Sequence, residues 1–141
     1  MGRTYVRDIM DEKIVTISAG DTLSTFEDIM TLGHVRHMPV VHGGRLVGVV
    51  SERDLLRASL SNLIEFGSAH RRAFLQVVEI ARVMSTPPVV IDPGATVEEA
   101  ARVMAEKKIG CLPVLGGDTV VGMLTETDVL AYFAGLKPAK T

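Results

Sequence analysis

The residues with the clearest chemical potential form one short motif that occurs twice. Residues 48–54 read Gly-Val-Val-Ser-Glu-Arg-Asp and residues 122–128 read Gly-Met-Leu-Thr-Glu-Thr-Asp, so both fit Gly-x-x-[Ser/Thr]-x-x-Asp after an apolar run. A hydroxyl can donate to a phosphate oxygen, and a carboxylate can accept from the hydroxyls of a ribose diol. Where a strand runs into a helix, unpaired backbone N–H groups and the helix dipole also favour an anion. The motif therefore indicates binding of a phosphorylated, sugar-containing molecule.

The same spacing has a second, structural interpretation. Ser or Thr followed three residues later by Asp resembles the capping box, in which the acidic side chain reaches back to the N-cap amide. A duplication would copy a helix cap as faithfully as a binding site, and one motif can serve both purposes. Spacing alone leaves both interpretations open.

The two motifs belong to a longer internal repeat. When the chain is shifted by 74 residues, residues 6–56 align with residues 80–130 without a gap, and 14 of the 51 pairs are identical. The identical pairs include Met10/Met84, Pro39/Pro113, Gly48/Gly122, Glu52/Glu126 and Asp54/Asp128. Other pairs, such as Ile29/Val103, Leu46/Val120 and Val50/Leu124, exchange one aliphatic residue for another, which together with the identities indicates a duplication.

Each repeat reads as β-α-β-β-α. A short apolar strand at 15–17 or 89–91 is followed by a helix for which Thr22 or Thr96 is the expected N-cap. Two further apolar runs, separated by Gly-rich residues, predict a hairpin that leads into the second helix. The proline within the first strand of each hairpin predicts a sheet edge or a bulge, because proline cannot donate to the ladder.

The predicted fold class is therefore α/β, of α+β type, with two β-α-β-β-α repeats packed with pseudo-two-fold symmetry into one module. Repeat 1 is expected over residues 5–66, a helical connection over 67–79 and repeat 2 over 80–136. Half of this chain is too short to bury a good core alone, so the repeats are interpreted as one module. Some apolar residues of the connection are expected to face a second subunit.

The β-α-β-β-α repeat, the Met-Pro-Val and Leu-Pro-Val strands and the duplicated motif together resemble a tandem pair of cystathionine β-synthase (CBS) domains, called a Bateman module. The resemblance covers residues 5–133. It implies an energy-sensing regulatory module, not an enzyme, that binds AMP, ADP, ATP or S-adenosylmethionine in clefts between the repeats. Ligand binding would change the conformation presented to an effector protein, and the module would be a homodimer. The alternative is a structural or dimerisation module with empty clefts.

The resemblance also implies roles for individual residues. Asp54 and Asp128 would hold ribose hydroxyls, and Ser51 and Thr125 would contact phosphate. The adenine would rest among aliphatic side chains and backbone at Thr16, Ile17, Met38, Pro39, Val90, Ile91, Leu112 and Pro113.

The two copies of the motif differ in charge. Repeat 1 has Arg53 and His37 where repeat 2 has Thr127 and Cys111. Because arginine can bind a phosphate through two parallel hydrogen bonds, the repeat 1 motif is expected to meet the more phosphate-rich part of a ligand. The two sites are therefore expected to differ in affinity.

Composition excludes several other classes. The 141 residues carry 15 Lys and Arg against 17 Asp and Glu, and this balance argues against a nucleic-acid partner. At 47% hydrophobic and 23% charged residues, the chain is expected to fold, with a mainly aliphatic core because aromatic residues make up only 4%. Without a signal-like N-terminal run or an uncharged apolar stretch of about 20 residues, no membrane partner is expected and a cytoplasmic location is predicted.

No catalytic or metal centre is expected either. His34, His37 and His42 lie close in sequence but lack a nearby Cys or carboxylate that would complete a metal site. The single cysteine, Cys111, cannot form a disulfide within the chain and is predicted to be a buried small hydrophobe. Neither a phosphate-binding P-loop nor a nucleophile-elbow motif occurs.

Overall fold

The computed structural model describes residues 2–136, which form two compact units. The central unit is Val15–Pro88, and the terminal unit combines residues 2–14 with residues 89–136. The elements in chain order are α1 (Val6–Ile9), β1 (Ile17–Ser18), α2 (Leu23–Gly33), β2 (His37–His42), β3 (Arg45–Ser51), α3 (Glu52–Phe66), α4 (Arg71–Val77), α5 (Val97–Lys107), β4 (Cys111–Gly116), β5 (Thr119–Thr125) and α6 (Glu126–Phe133), with 3₁₀ turns at Ser68–His70 and Ile80–Arg82. The mixed α and β content confirms the predicted fold class.

The central unit contains a three-stranded sheet in the order β1-β2-β3. β1 pairs in parallel with β2, and β2 pairs with β3 as the predicted antiparallel hairpin. The register shifts between Val40 and Val41, one residue after Pro39, so a bulge follows the proline. β2 is not an edge strand, but β1 pairs with it only from Val40 onward. The missing proline N–H is therefore not needed by the neighbouring strand.

The terminal unit repeats this arrangement with a shorter first strand. β4 and β5 form the hairpin, and the register again shifts one residue after the proline, between Val114 and Leu115. The strand predicted at 89–91 is reduced to one parallel bridge from Ile91 to Val114. The Ile91 N–H donates to the Pro113 carbonyl at 3.0 Å, which holds this residue at the position that β1 takes in the central unit.

Hydroxyl side chains cap three of the helices. Ser51, Thr96 and Thr125 each begin a reciprocal capping box, at the starts of α3, α5 and α6 respectively. The N-cap predicted at Thr96 is thus confirmed. Thr22 lies at the N-cap of α2 but makes no side-chain cap bond, because its hydroxyl pairs with the Ser24 Oγ at 2.9 Å.

The first segment of each sequence repeat packs into the unit that contains the other repeat. We call residues 6–11 and 80–85 the crossing segments. Their backbone bonds are equivalent: Val6 donates to Ala95 and Ile80 to Asp21, both at 2.8 Å, while Asp11 pairs with Met123 and Ser85 with Val49 at 2.8–3.1 Å. The compact units therefore do not coincide with the sequence repeats, because the first segment of each repeat belongs to the unit that holds the rest of the other repeat.

Each unit has its own cluster of buried hydrophobic residues. The largest fully buried side chains are aliphatic or methionine, apart from Phe26, in agreement with the predicted aliphatic core. Val6 and Ile80, at equivalent positions of the crossing segments, are completely buried. Burial of one such side chain is worth about 1.5–3 kcal/mol, so the crossing segments are part of the cores and not loose connections.

Residues 67–79, predicted to be helical, contain a 3₁₀ turn and α4, which packs on the central unit. Leu75 is buried in that unit's core. The Arg71 Nη2 lies 2.6 Å from the Glu27 Oε2 and so joins α4 to α2. This hydrogen bond raises the pKa of Arg71, partly offset by desolvation.

Two helices expose apolar side chains at helical spacing. On α3 these are Leu56, Leu60, Leu63 and Ile64, and on α6 they are Leu130 and Phe133. Leu56 and Leu130 are equivalent in the repeat. No helix within residues 2–136 combines the length and the apolar character needed to cross a bilayer.

Candidate functional site

Both copies of the motif occupy the same local structure, the point where the last strand of the hairpin becomes a helix. Ser51 ends β3 and Asp54 is the third residue of α3, while Thr125 and Asp128 stand in the same places on β5 and α6. All four side chains are half-buried. A strand on one side and a helix on the other therefore determine the position of each hydroxyl and carboxylate.

In the central unit, one carboxylate oxygen of the motif is committed to the helix cap. The Asp54 Oδ2 accepts from the Ser51 N–H at 2.8 Å and from the Ser51 hydroxyl at 3.0 Å. The Asp54 N–H donates in return to the Ser51 Oγ at 3.3 Å. For the other oxygen, Oδ1, no hydrogen-bond partner is found within residues 2–136. The capping-box interpretation is thus confirmed, and the cap leaves one carboxylate oxygen uncommitted.

The terminal unit reproduces this geometry closely. The Asp128 Oδ2 accepts from the Thr125 N–H at 2.8 Å and from its hydroxyl at 2.9 Å, and the Asp128 N–H donates to the Thr125 Oγ1 at 3.3 Å. Its Oδ1 likewise has no hydrogen-bond partner in the part of the chain that the structure describes. In both copies of the motif, therefore, the aspartate Oδ1 can still accept a hydrogen bond.

The expectation of several free backbone N–H groups at the helix start was wrong. The Glu52 N–H donates to the Arg36 carbonyl at 2.8 Å, and the equivalent Glu126 N–H donates to the Gly110 carbonyl at 2.9 Å. The capping box takes the amides of the N-cap and third residues. In each motif only the second helical residue, Arg53 or Thr127, keeps an amide with no acceptor among residues 2–136. The backbone alone is therefore a weak anion site.

The motif glycines have a packing function. A Cβ at Gly48 would lie 2.7 Å from the Met84 Sδ and 2.8 Å from the Ser85 carbonyl oxygen, both in the crossing segment. Gly122 faces residues 10 and 11 in the same way. Sequence reasoning missed this role, although the Met10/Met84 identity in the repeat was a signal for it.

The residues proposed to surround adenine divide into exposed and buried groups. Thr16 and Val90 are exposed at equivalent positions next to the first strand. The other six, Ile17, Met38, Pro39, Ile91, Leu112 and Pro113, are buried, and Met38 and Leu112 are completely so. Those two side chains belong to the cores, so any contact that a ligand makes there involves the backbone.

The histidines and Arg53 are the remaining polar candidates, and they are not arranged as metal ligands. His37 is half-buried and lies opposite Ser51 in the β2–β3 ladder, with Arg53 exposed nearby on α3. His34 follows α2, and His42 ends β2. Residues 2–136 contain no group of three or more His, Cys, Asp or Glu placed to hold a metal ion. Cys111 is buried, as predicted.

The duplicated hairpin-helix arrangement defines a tandem module, and its family follows from comparison with known proteins. The CBS domain model matches residues 6–61 and 79–135, so the chain belongs to the CBS domain family, and the predicted tandem pair is confirmed. The chain is 29% identical over 130 residues to a CBS domain-containing protein of Dictyostelium discoideum, a match that covers 91% of this chain and 90% of that protein.

Solved structures agree on the fold. The CBS domain pair of protein MJ0100, in complex with 5′-methylthioadenosine and S-adenosyl-L-methionine, superposes with a TM-score of 0.79 at 22% identity, over 95% of this chain and 98% of that one. CBSX2 in complex with AMP superposes with a TM-score of 0.74 at 24% identity, over 94% of this chain and 97% of that one. Three other curated relatives are much longer, and the chain spans 34%, 24% and 21% of them.

Proposed function

We propose that this chain is a regulatory module that binds an adenosine-containing nucleotide, AMP, ADP, ATP or S-adenosylmethionine, at its two motifs. The observation that carries the proposal is the identical geometry of the two capping boxes, each of which leaves one aspartate Oδ1 available. Related CBS pairs solved with AMP or with S-adenosyl-L-methionine support the ligand class. With AMP, ADP or ATP as ligand, the module would sense the energy state of the cell.

The capping box suits a ribose site because it fixes the carboxylate before any ligand arrives. Two hydrogen bonds from Ser51 hold the Asp54 Oδ2, so the orientation of Oδ1 is set by the backbone at the start of α3. A ribose hydroxyl that donates to Oδ1 would form a charge-assisted bond without ordering a flexible side chain. Helix capping and ligand binding are therefore compatible in one residue.

The proposed output is a change in conformational equilibrium that an effector protein detects. A ligand shifts such an equilibrium only by the difference between its affinities for the two conformations. This function needs no catalytic group, in keeping with a regulatory role. The competing proposal, a structural module without ligand, rests on the fact that the same carboxylates cap helices.

A thermal-shift screen separates these two proposals. AMP, ADP, ATP and S-adenosylmethionine are each added to the full chain at increasing concentration. A ligand present at 100 times its dissociation constant should stabilise the folded state by about 2.7 kcal/mol. We expect at least one of the four to raise the melting temperature in a saturable manner. If none does so at millimolar concentration, the structural proposal is correct.

The same module is proposed to act as a homodimer through the exposed apolar residues of α3 and α6. The outward stripe of α3 includes Ile64, which is 86% exposed. Arg57, three residues before Leu60, lies on the same face, so the proposed interface is confined to the C-terminal part of α3, around Leu60 and Ile64. Exposed apolar side chains on successive turns of one helix, as on α3, form the kind of patch that marks an association site.

Sedimentation velocity tests this assembly. The native chain is expected to sediment as a dimer at micromolar concentration, and the double variant Leu60→Glu, Ile64→Glu as a monomer, because four like charges would meet at the interface. Both positions are exposed, so the fold should remain intact, as circular dichroism would show. A native chain that is monomeric at this concentration would refute the proposal.

A further inference from the structure

Three arginines lie around the central-unit motif. Arg36 is brought against the first turn of α3, because its carbonyl accepts from the Glu52 N–H at 2.8 Å. Arg53 is the second residue of α3, and Arg57 follows it by four residues, so the two share one helix face. We call Arg36, Arg53 and Arg57 the arginine cluster.

The arginine cluster is exposed and not neutralised by ion pairs. All three side chains are exposed. The one salt bridge among residues 2–136 joins Arg71 to Glu27, on α4 and α2. The neighbouring acid Asp54 has one oxygen committed to the helix cap. Three exposed arginines without an ion pair among residues 2–136 thus lie on the first two turns of α3 and on the residue that binds its first amide.

The terminal-unit motif lacks all three charges. Gly110, Thr127 and Ala131 occupy the positions equivalent to the arginine cluster. Lys107 and Lys108 are the nearest cations in sequence, but they lie at the end of α5, where lysine interacts favourably with the helix dipole. The two motifs therefore share one ribose-binding geometry and differ in the charge beside it.

We propose that the two motifs select ligands by phosphate content: the central-unit motif takes an adenosine nucleotide with a di- or triphosphate, and the terminal-unit motif takes an adenosine compound with one phosphate or none. This inference rests on the proposed nucleotide-binding function. The capping box occupies the hydroxyl and most amides of both motifs, so the backbone contributes little to phosphate binding. The positively charged side chains then determine how strongly each motif binds phosphate. Arginine binds phosphate through planar, bidentate hydrogen bonds.

The test measures each motif separately by isothermal titration calorimetry. In an Asp128→Asn chain the remaining site is the central one, and in an Asp54→Asn chain it is the terminal one. Both chains are titrated with ATP, AMP, adenosine and inorganic tripolyphosphate in buffer free of divalent cations. We expect ATP to bind the central site about tenfold more tightly than AMP does, a ratio equivalent to about 1.4 kcal/mol. The terminal site should show no preference for ATP.

Exchanging one residue between the motifs tests whether Arg53 causes the preference for ATP over AMP. Arg53→Thr should lower the ratio of ATP to AMP affinity at the central site about tenfold, and Thr127→Arg should raise that ratio at the terminal site. The control is Arg45→Thr, which removes the same charge from the other end of β3, about 20 Å away along the strand. Thr119 occupies the equivalent position in the repeat, so the control also copies a natural counterpart.

The outcomes distinguish this inference from the function on which it rests. If no adenosine compound binds either chain, the proposed function fails. If adenosine compounds bind but the ratio of ATP to AMP affinity is the same at both sites and unchanged by Arg53→Thr, the phosphate selection fails alone. Tripolyphosphate that binds the central site as tightly as ATP does would also refute it, because a nucleotide site requires the adenosine portion.

Discussion

Replacing Asp54 with asparagine is expected to weaken ligand binding at the central-unit motif strongly while α3 remains capped. The asparagine carboxamide oxygen can still accept from the Ser51 N–H and hydroxyl, as Oδ2 does now. The other position becomes an NH₂ group, which cannot accept from a ribose hydroxyl. Loss of one or two hydrogen bonds to a charged acceptor should weaken binding about 10- to 100-fold or more. Asp128→Asn should do the same at the other site.

Two further variants separate ligand binding from helix capping. Asp54→Ala removes the cap as well, so it should lower the free energy of unfolding by about 1 kcal/mol in addition to abolishing binding. Glu99→Gln changes the capping box at the start of α5, which has the same reciprocal pattern without a proposed ligand. It should leave binding unchanged. Calorimetry and urea denaturation measure the two effects.

Retention of native affinity in Asp54→Asn would contradict the proposed role of the carboxylate. The motif would then be a helix cap only, and any ligand found by thermal shift would bind elsewhere. A loss of affinity in Glu99→Gln as large as in Asp54→Asn would have the same meaning, because it would show that affinity follows stability and not the carboxylate.

Gly48→Ala is expected to destabilise the fold more than any other alanine replacement of a motif glycine. The new methyl group would lie 2.8 Å from the Ser85 carbonyl oxygen. Ser85 is held by paired backbone hydrogen bonds with Val49, so this oxygen can shift only if those bonds are distorted. Overpacking of this kind costs about 1–3 kcal/mol. At Gly122 the equivalent backbone atom, the Asp11 carbonyl oxygen, would lie 3.1 Å from the new methyl group, and the closer atoms belong to the flexible Met10 side chain, so the cost should be lower.

The matched control for Gly48→Ala is Gly20→Ala. A Cβ at Gly20 would have no heavy atom within 4 Å, and its backbone is not left-handed, so this variant should be as stable as the native chain. Urea denaturation measures the free energy of unfolding of both variants. Equal stability of the two would mean that the crossing segment does not pack against β3 at this point.

Much of the architecture follows from local signals in the sequence. The 74-residue offset located both hairpins and both motifs, because a duplicated segment repeats its strand and helix signals at a fixed distance. The cap at Thr96 was predictable because a hydroxyl followed by Glu99 is a pattern within one helical turn. Thr22 has no such acidic partner three residues later, and its hydroxyl bonds to Ser24 instead.

The candidate site was predictable only in part. The hydroxyl and the carboxylate of each motif are joined over three residues, so their proximity follows from the sequence. The loss of the free amides does not, because the acceptor for Glu52 is the carbonyl of Arg36, which a strand pairing brings to the helix start. The exposure of the arginine cluster is likewise a property of the fold.

By itself, the sequence determined the duplication, the β-α-β-β-α order and the capping boxes, because each depends on residues a few positions apart or on a constant offset. Only the tertiary structure decided which unit each crossing segment joins. Val6 binds the backbone of Ala95, and Ile80 that of Asp21. These partners lie far along the chain from the crossing segments, so signals between neighbouring residues do not assign them. The motif glycines leave the space into which the crossing segments pack.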